Sequence, residues 1–178
     1  MLWGIDHSWT LFLDRDGVIN VRLMGDYVKN REEFSFISGV PEAIVQFNNI
    51  FSRIFVVTNQ QGIGKGVMTE SNLLDVHSYM LDGVRMVGGK IDHCYFAPQL
   101  AIENSNMRKP GSGMALKAKL DFPEIDFSRS VMVGDSDSDI EFGKNLGMRT
   151  VKVTNEESDT SNADLYVKSL KEFSDLLI

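Results

Sequence analysis

The sequence predicts an open, three-layer α/β fold built on a mainly parallel sheet. Short β-rich apolar runs alternate with stretches whose apolar residues recur at helical spacing. Strand, helix and strand repeated in this way form a sheet covered on both faces. Polar residues able to do chemistry also follow several of the apolar runs, where open α/β sheets place their ligands. With 178 residues, 43% hydrophobic and 24% charged, the chain has the length for one domain with a substantial core, expected over 1–178.

The elements follow in order. "WTLFL" (9–13) reads as the first strand, and "VPEAIVQFNNI" (40–50) as a helix whose Pro41 suits a first turn. "RIFVVT" (53–58) is the second strand, and "TESNLLDVHSYMLDGVRMV" (69–87) a helix opened by a capping-box pattern, Thr69 to Asn72. "IDHCYFA" (91–97), "SVMVG" (130–134) and "RTVKV" (149–153) are further buried strands, and "DLYV" (164–167) a shorter sixth. "GMALKAKLD" (113–121), "DIEFGKNL" (139–146) and "VKSLKEFSDLLI" (167–178) supply the remaining helices.

Composition removes several functions. Eighteen Lys plus Arg against 25 Asp plus Glu give a net charge of −7, which disfavours a nucleic-acid polymer as partner. The lone cysteine, Cys94, excludes an internal disulfide framework or a thiolate zinc cluster, and reads as a small buried residue. "MLWGIDHSWT" has no basic region or long apolar core, and no stretch reaches membrane-spanning length. A cytoplasmic protein, monomeric by default, is the expectation.

"SVMVGDSDSDIEFG" holds Asp135, Asp137 and Asp139 in alternation, a calcium-like spacing. An EF-hand loop needs Gly at its sixth position and Glu at its twelfth; those positions hold Ile140 and Leu146. The calcium reading fails. Taken with the other strand ends, the acids belong to a larger set. Asp14 and Asp16 follow the first strand, Thr58 and Asn59 end the second, and Arg108-Lys109 precedes a helix. Acids, a hydroxyl and a lysine converging on one sheet edge are the inventory of magnesium-assisted phosphoryl transfer.

Each group then has an expected role. Asp14 attacks phosphorus to give an aspartyl-phosphate, and Asp16 protonates the leaving oxygen and later activates water. Mg²⁺ prefers oxygen ligands; the side chains of Asp14 and Asp135 and the main-chain carbonyl of Asp16 are expected to supply them, with Asp139 supporting from one helical turn on. Asp137 reads as solvated near a helix start. Thr58 and nearby backbone N–H groups hold phosphoryl oxygens, and Lys109 neutralises phosphate and nucleophile. Arg108 can take a second phosphate or a sugar oxygen. "VVTNQQGIGKG" is not a Walker loop, because Asn59 and Gly66 stand where Gly and Ser or Thr are needed, and Val67 breaks the dinucleotide pattern. His7, His77 and His93 have no ligand spacing and are assigned no chemistry.

"DRDGVIN", "VVTNQQGIGKG", "RKPGSGM" and "VGDSDSDIEFG" resemble, in order, the four motifs of the haloacid dehalogenase superfamily of phosphatases, over about residues 10 to 153. The resemblance implies a Rossmann-like fold, Mg²⁺ dependence and the roles given to Asp14, Asp16, Thr58, Lys109 and Asp135. "DYVKNREEFSFISGVPEAI" and "TNQQGIGKGVMTESNL" look most like the D-glycero-D-manno-heptose-1,7-bisphosphate phosphatases, which implies a small phosphorylated sugar as substrate, hydrolysed at its 7-phosphate. It also implies substrate contacts by Asn20, Asn59, Gln60 and Arg108. The histidinol-phosphatase domain is the near relative and gives the alternative substrate. Polynucleotide 3′-phosphatases share part of the pattern, but the acidic balance weighs against them. A phospho-receiver domain carries its acceptor Asp after a later strand, and a degraded binding module would lack core groups that this chain retains.

One stretch departs from the resembled family. Heptose and histidinol enzymes commonly carry a zinc loop of three Cys and one His before the lysine motif. Here "FAPQLAIENSNMRKP" puts Ala97, Gln99, Ser105 and Met107 at those positions, so no structural zinc is expected. The segment 17–38 leaves room only for a small flap, and 59–108 is used by a helix, a strand and a shortened loop. No large cap domain is expected over the site.

Overall fold

The computed structural model of the chain describes residues 2–156 and 161–178. Six strands form one sheet: β1 (Thr10–Leu13), β2 (Arg53–Asn59), β3 (His93–Ala97), β4 (Ser130–Gly134), β5 (Arg149–Val153) and β6 (Leu165–Val167). Their order is β3-β2-β1-β4-β5-β6, and every pairing is parallel. Thr10 lies opposite both Arg53 and Ser130, and Leu13 opposite both Val56 and Val133. β1 is therefore flanked on both sides, at the point where strand order reverses. That reversal opens a crevice beyond its C-terminal end.

The sheet's period-2 alternation builds two cores. Leu11, Leu13, Ile54, Val56, Val131 and Val133 face one side, against α1 (Val40–Asn48), α3 (Glu70–Met86) and α6 (Leu170–Asp175), whose Phe47, Met80 and Phe173 fill that layer. Phe12, Phe55, Val57 and Met132 face the other, against α4 (Gly113–Asp121) and α5 (Asp137–Asn145) through Met114, Ala118 and Phe142. This is the three-layer α/β arrangement read from the sequence. The near-continuous apolar runs of β1, β2 and β4 are what burial on both faces demands.

Local chemistry sets the boundaries. Pro41 sits in the first turn of α1, and Thr69 and Asn72 close the capping box of α3. β4 and β5 keep the expected bounds. α5 begins two residues before its apolar pattern because Asp137 and Asp139 occupy its first turn, where acids suit the positive helix end. α6 begins later than expected, since Leu165–Val167 pairs with β5 as a strand. A short helix, α2 (Gln61–Gly64), was not visible as a pattern; one turn has too few residues to show a period. Cys94 is half-buried on β3, and burial pushes its thiol up to about 12.

After β1 the chain makes a small flap. Residues 19–21 and 35–37 pair as a narrow stem, with Val21 N–H donating to Ser35 and Ile37 N–H to Ile19. The excursion between them leans on α3, where Phe34 meets Tyr79 edge-on at 5.9 Å and Phe36 crowds Gly83. Among the described residues no helix is long and apolar enough to cross a membrane.

Candidate active site

The C-terminal ends of β1, β2 and β4 converge on a cleft of about 180 Å³ lined by Asp14, Asp16, Thr58, Asn59, Arg108, Lys109, Asp135 and Asp139. At its centre Lys109 Nζ, 2% exposed, donates to Asp14 Oδ1 at 2.8 Å and to Asp139 Oδ1 at 2.5 Å. Asp139 Oδ2 is taken by the N–H and hydroxyl of Ser136 at 3.0 and 2.7 Å. Both oxygens of Asp139 are thus engaged. Gly134 permits this close return of α5, because a Cβ there would stand 2.0 Å from that of Asp139.

The charges do not balance. Burial pushes Asp14 up to about 7, against the pull of Lys109 and with the acids Asp139 and Asp135 adding to the push. Burial and Asp139 also raise Asp135, with Arg22 opposing. Burial alone would pull Lys109 down, but Asp139 and Asp14 together hold it above the usual lysine range. A simple ion pair would shift its two partners in opposite directions. Here both rise: burial, with Asp139 and Asp135 adding to it, outweighs the pull of Lys109 on Asp14, while two carboxylates hold the one lysine up. Asp14, Asp135 and Asp139 each offer an oxygen within 4.8 Å of the others, and Asp135 Oδ1 is buried without a partner. Hard oxygen donors with excess negative charge fit a divalent cation such as Mg²⁺.

Asp16 is held from behind. The Arg15 Nη2 donates to both its oxygens at 2.9 Å, Asn20 donates to Oδ1 at 3.0 Å, and Gln60 to Oδ2 at 2.9 Å. Burial would raise its pKa, but the Arg15 charge and the hydrogen bonds from Asn20, Arg15 and Gln60 hold it below the usual range. The Gln60 amide also donates to Thr58 Oγ1 at 2.9 Å, which leaves the threonine hydroxyl proton free for another acceptor. Asn59 clamps the lysine loop: its Oδ1 accepts from Lys109 N–H at 2.9 Å and its Nδ2 donates to the Lys109 carbonyl at 3.1 Å.

Two of the expected substrate contacts are buried beside Asp16. Asn20 and Gln60 are 0% and 1% exposed, and their amide nitrogens donate to Asp16 while Asn20 Oδ1 and Gln60 Oε1 are buried without a partner. Asn59 borders the cleft but its amide is engaged by the Lys109 backbone. Arg108 lines the cleft, and its Nη1 is buried without a partner. Asp137 is 74% exposed, as expected, and pairs with Lys152 at 2.7 Å.

Sequence reasoning missed three groups. Arg15 is fully buried and its Nη1 lies 3.4 Å from Nε2 of His77, itself buried on α3. Burial, with the Arg15 charge beside it, pulls His77 down to about 3, so it is neutral at physiological pH. The only signal for Arg15 was its place between two strand-end acids, where a solvated turn is the ordinary reading. Arg22, on the flap, reaches Asp135 Oδ2 at 3.1 Å; nothing local in "NVRLMG" marked it.

The HAD-hydrolase-like family model matches residues 106–173. The D-glycero-alpha-D-manno-heptose-1,7-bisphosphate 7-phosphatase of Campylobacter jejuni is 39% identical over 162 residues, covering 91% of each chain. The D-glycero-beta-D-manno-heptose-1,7-bisphosphate 7-phosphatase of Rhodopseudomonas palustris is 36% identical, covering 83% of this chain and 84% of its own. Among solved structures, D,D-heptose 1,7-bisphosphate phosphatase from Burkholderia thailandensis superposes with TM-score 0.69 at 29% identity, over 95% and 98% of the two chains. The B. bronchiseptica counterpart, complexed with magnesium and phosphate, shares the fold at TM-score 0.82 and 23% identity, over 95% and 97%. The chain belongs to the D-glycero-D-manno-heptose-1,7-bisphosphate 7-phosphatase family of HAD-like hydrolases.

Proposed function

We propose that this protein is a Mg²⁺-dependent phosphatase that removes the 7-phosphate of D-glycero-D-manno-heptose 1,7-bisphosphate through an aspartyl-phosphate. The observation that carries the reading is the joint placement of Asp14 and Lys109, 2.8 Å apart, beside a second acid, Asp16, held on its far side. Membership of the heptose-bisphosphatase family supports the substrate.

In this reading Asp14 is the nucleophile, and Lys109 holds it against a phosphate dianion. Its carboxylate adds to phosphorus as the sugar oxygen leaves. Asp16 gives that oxygen a proton, then takes one from the water that cleaves the aspartyl-phosphate. The Arg15 fork favours the carboxylate form of Asp16, which suits the second half. An incoming phosphate dianion beside it favours the protonated form, which suits the first. Thr58 donates its hydroxyl to a phosphoryl oxygen. Asp14 and Asp135 would hold Mg²⁺, which when bound neutralises phosphoryl oxygens as charge shifts. Arg108 faces the rest of the ligand from the other wall.

The test is turnover of an aryl phosphate with Mg²⁺ by the wild type and Asp14→Asn, followed by both heptose bisphosphate anomers and histidinol phosphate. Multiple turnovers lost in the variant, with a heptose bisphosphate preferred, are expected. Retained turnover in Asp14→Asn would remove the nucleophile assignment, and a preference for histidinol phosphate would replace the substrate.

A further inference from the structure

Among the described residues, Arg22 is the cation of the cleft that is mostly exposed and rests on a single carboxylate. Lys109 is 2% exposed between two carboxylates, and Arg15 is 0% exposed behind Asp16. The Arg22 side chain is 53% exposed, stands on the flap beside Leu23, Asp26 and Tyr27, and has one ion pair, to Asp135. That pair involves Oδ2, while Oδ1 of the same carboxylate is buried without a partner.

The arginine end of this pair is solvated while the Asp135 side chain is 17% exposed, so the guanidinium can change partner without leaving water. Arg22 therefore supplies Asp135 with a replaceable positive charge, while Lys109 answers Asp14 and Asp139. A divalent cation held by Asp135 would remove the charge that attracts the guanidinium and would repel it directly. A phosphate group offers the same guanidinium two parallel acceptors, a stronger arrangement than a single contact at 3.1 Å. The flap stem is fixed by its backbone hydrogen bonds, so Arg22 needs only side-chain rotation to leave Asp135 for the cleft mouth.

We infer that Arg22 is a transferable counter-charge, resting on Asp135 and passing to the substrate's unhydrolysed phosphate when a divalent cation takes Asp135. This rests on the bisphosphate reading above and assigns Arg22 a specificity role within it. Arg108 and Arg22, which line the same cleft, would then both hold the substrate.

Two measurements on the full chain decide it. In calorimetric titration with Mg²⁺ alone, Arg22→Ala should bind the ion about 3- to 10-fold more tightly than wild type, and Arg22→Lys close to wild type. In kinetics, Arg22→Ala should lower the preference for heptose bisphosphate over an aryl phosphate by about 10-fold or more, chiefly through KM, with Arg22→Lys in between. Mg²⁺ binding that weakens in Arg22→Ala would make the residue a support for Asp135 and overturn the counter-charge role. Equal losses on both substrates would overturn transfer to the second phosphate. A wild type that ignores heptose bisphosphate would sink the substrate reading by itself, while the Mg²⁺ titration would still decide the resting contact.

Discussion

Gly17, the residue after Asp16, ties the first motif to the fourth, and Gly17→Ala isolates that link. Its φ is +87°, and an added Cβ would lie 2.1 Å from Asp135 Oδ2, 2.6 Å from its Cγ and 3.2 Å from its Cβ. Ordinary contact begins at 3.4 Å, so Oδ2 must retreat by 3.4 − 2.1 = 1.3 Å or more. Rotating the carboxylate away breaks the Arg22 contact and turns the unpartnered Oδ1 out of the cluster; the remaining overlap near the Asp135 Cβ pushes on the β4 end. A displacement of this size at a reacting site costs on the order of 100-fold in rate. The left-handed backbone adds about 1 to 2 kcal/mol of strain for alanine, a fall of several degrees in Tm for a domain of this size. The variant should therefore unfold cooperatively a few degrees early, bind Mg²⁺ about 10-fold more weakly, and lose about 100-fold in kcat/KM for an aryl phosphate. Calorimetry, thermal unfolding and steady-state kinetics on one preparation read all three. A kcat/KM within threefold of wild type, with Mg²⁺ binding unchanged, would refute the claim that Gly17 sets the position of Asp135.

Lys109→Met leaves two buried carboxylates without their cation, a loss of about 3 to 5 kcal/mol, so Tm in a chelator should fall by about 10 °C and recover in part with Mg²⁺; an unchanged Tm would mean Lys109 does not compensate Asp14 and Asp139. His77 has its pKa pulled down to about 3 from 6.5 by burial. The unfolded chain therefore binds the extra proton first, and the stability from neutral His77 is complete above pH 6.5 and lost as pH falls toward 3, by up to about 1.4 kcal/mol per pH unit. The Asp14 carboxyl, raised to about 7, contributes oppositely, adding stability as pH falls from 7 toward 3.8, but does so in both proteins. The Tm difference between wild type and His77→Gln should hence shrink or reverse between pH 7 and 4.5, and parallel curves would show that His77 does not stay neutral.

Motif order and strand-end position made Asp14, Asp16, Thr58, Lys109 and Asp135 legible before any coordinates, because a parallel sheet delivers whatever follows its strands to one edge. The apolar runs of β1, β2 and β4 announced burial on both faces for the same reason. Asn20, Asn59 and Gln60 were expected to contact substrate, and the structure engages their amides with Asp16 or the Lys109 backbone. An amide reads the same in sequence whether it meets a ligand or holds a carboxylate; only the 0% and 1% exposure of Asn20 and Gln60 separates the cases. Arg15 and Arg22 show the limit more sharply. Each is an arginine in a polar loop by local pattern, yet one is fully buried under His77 and the other reaches an aspartate 113 positions away.

Sequence by itself determined the sheet, the strand ends and the chemical groups on them, since periodicity and order are local properties that the fold preserves. Tertiary structure alone decided how those groups share charge: one lysine between two acids, a fork behind Asp16, and a flap arginine on Asp135. Electrostatic balance depends on distance and burial, and neither is a property of a residue's neighbours in the chain.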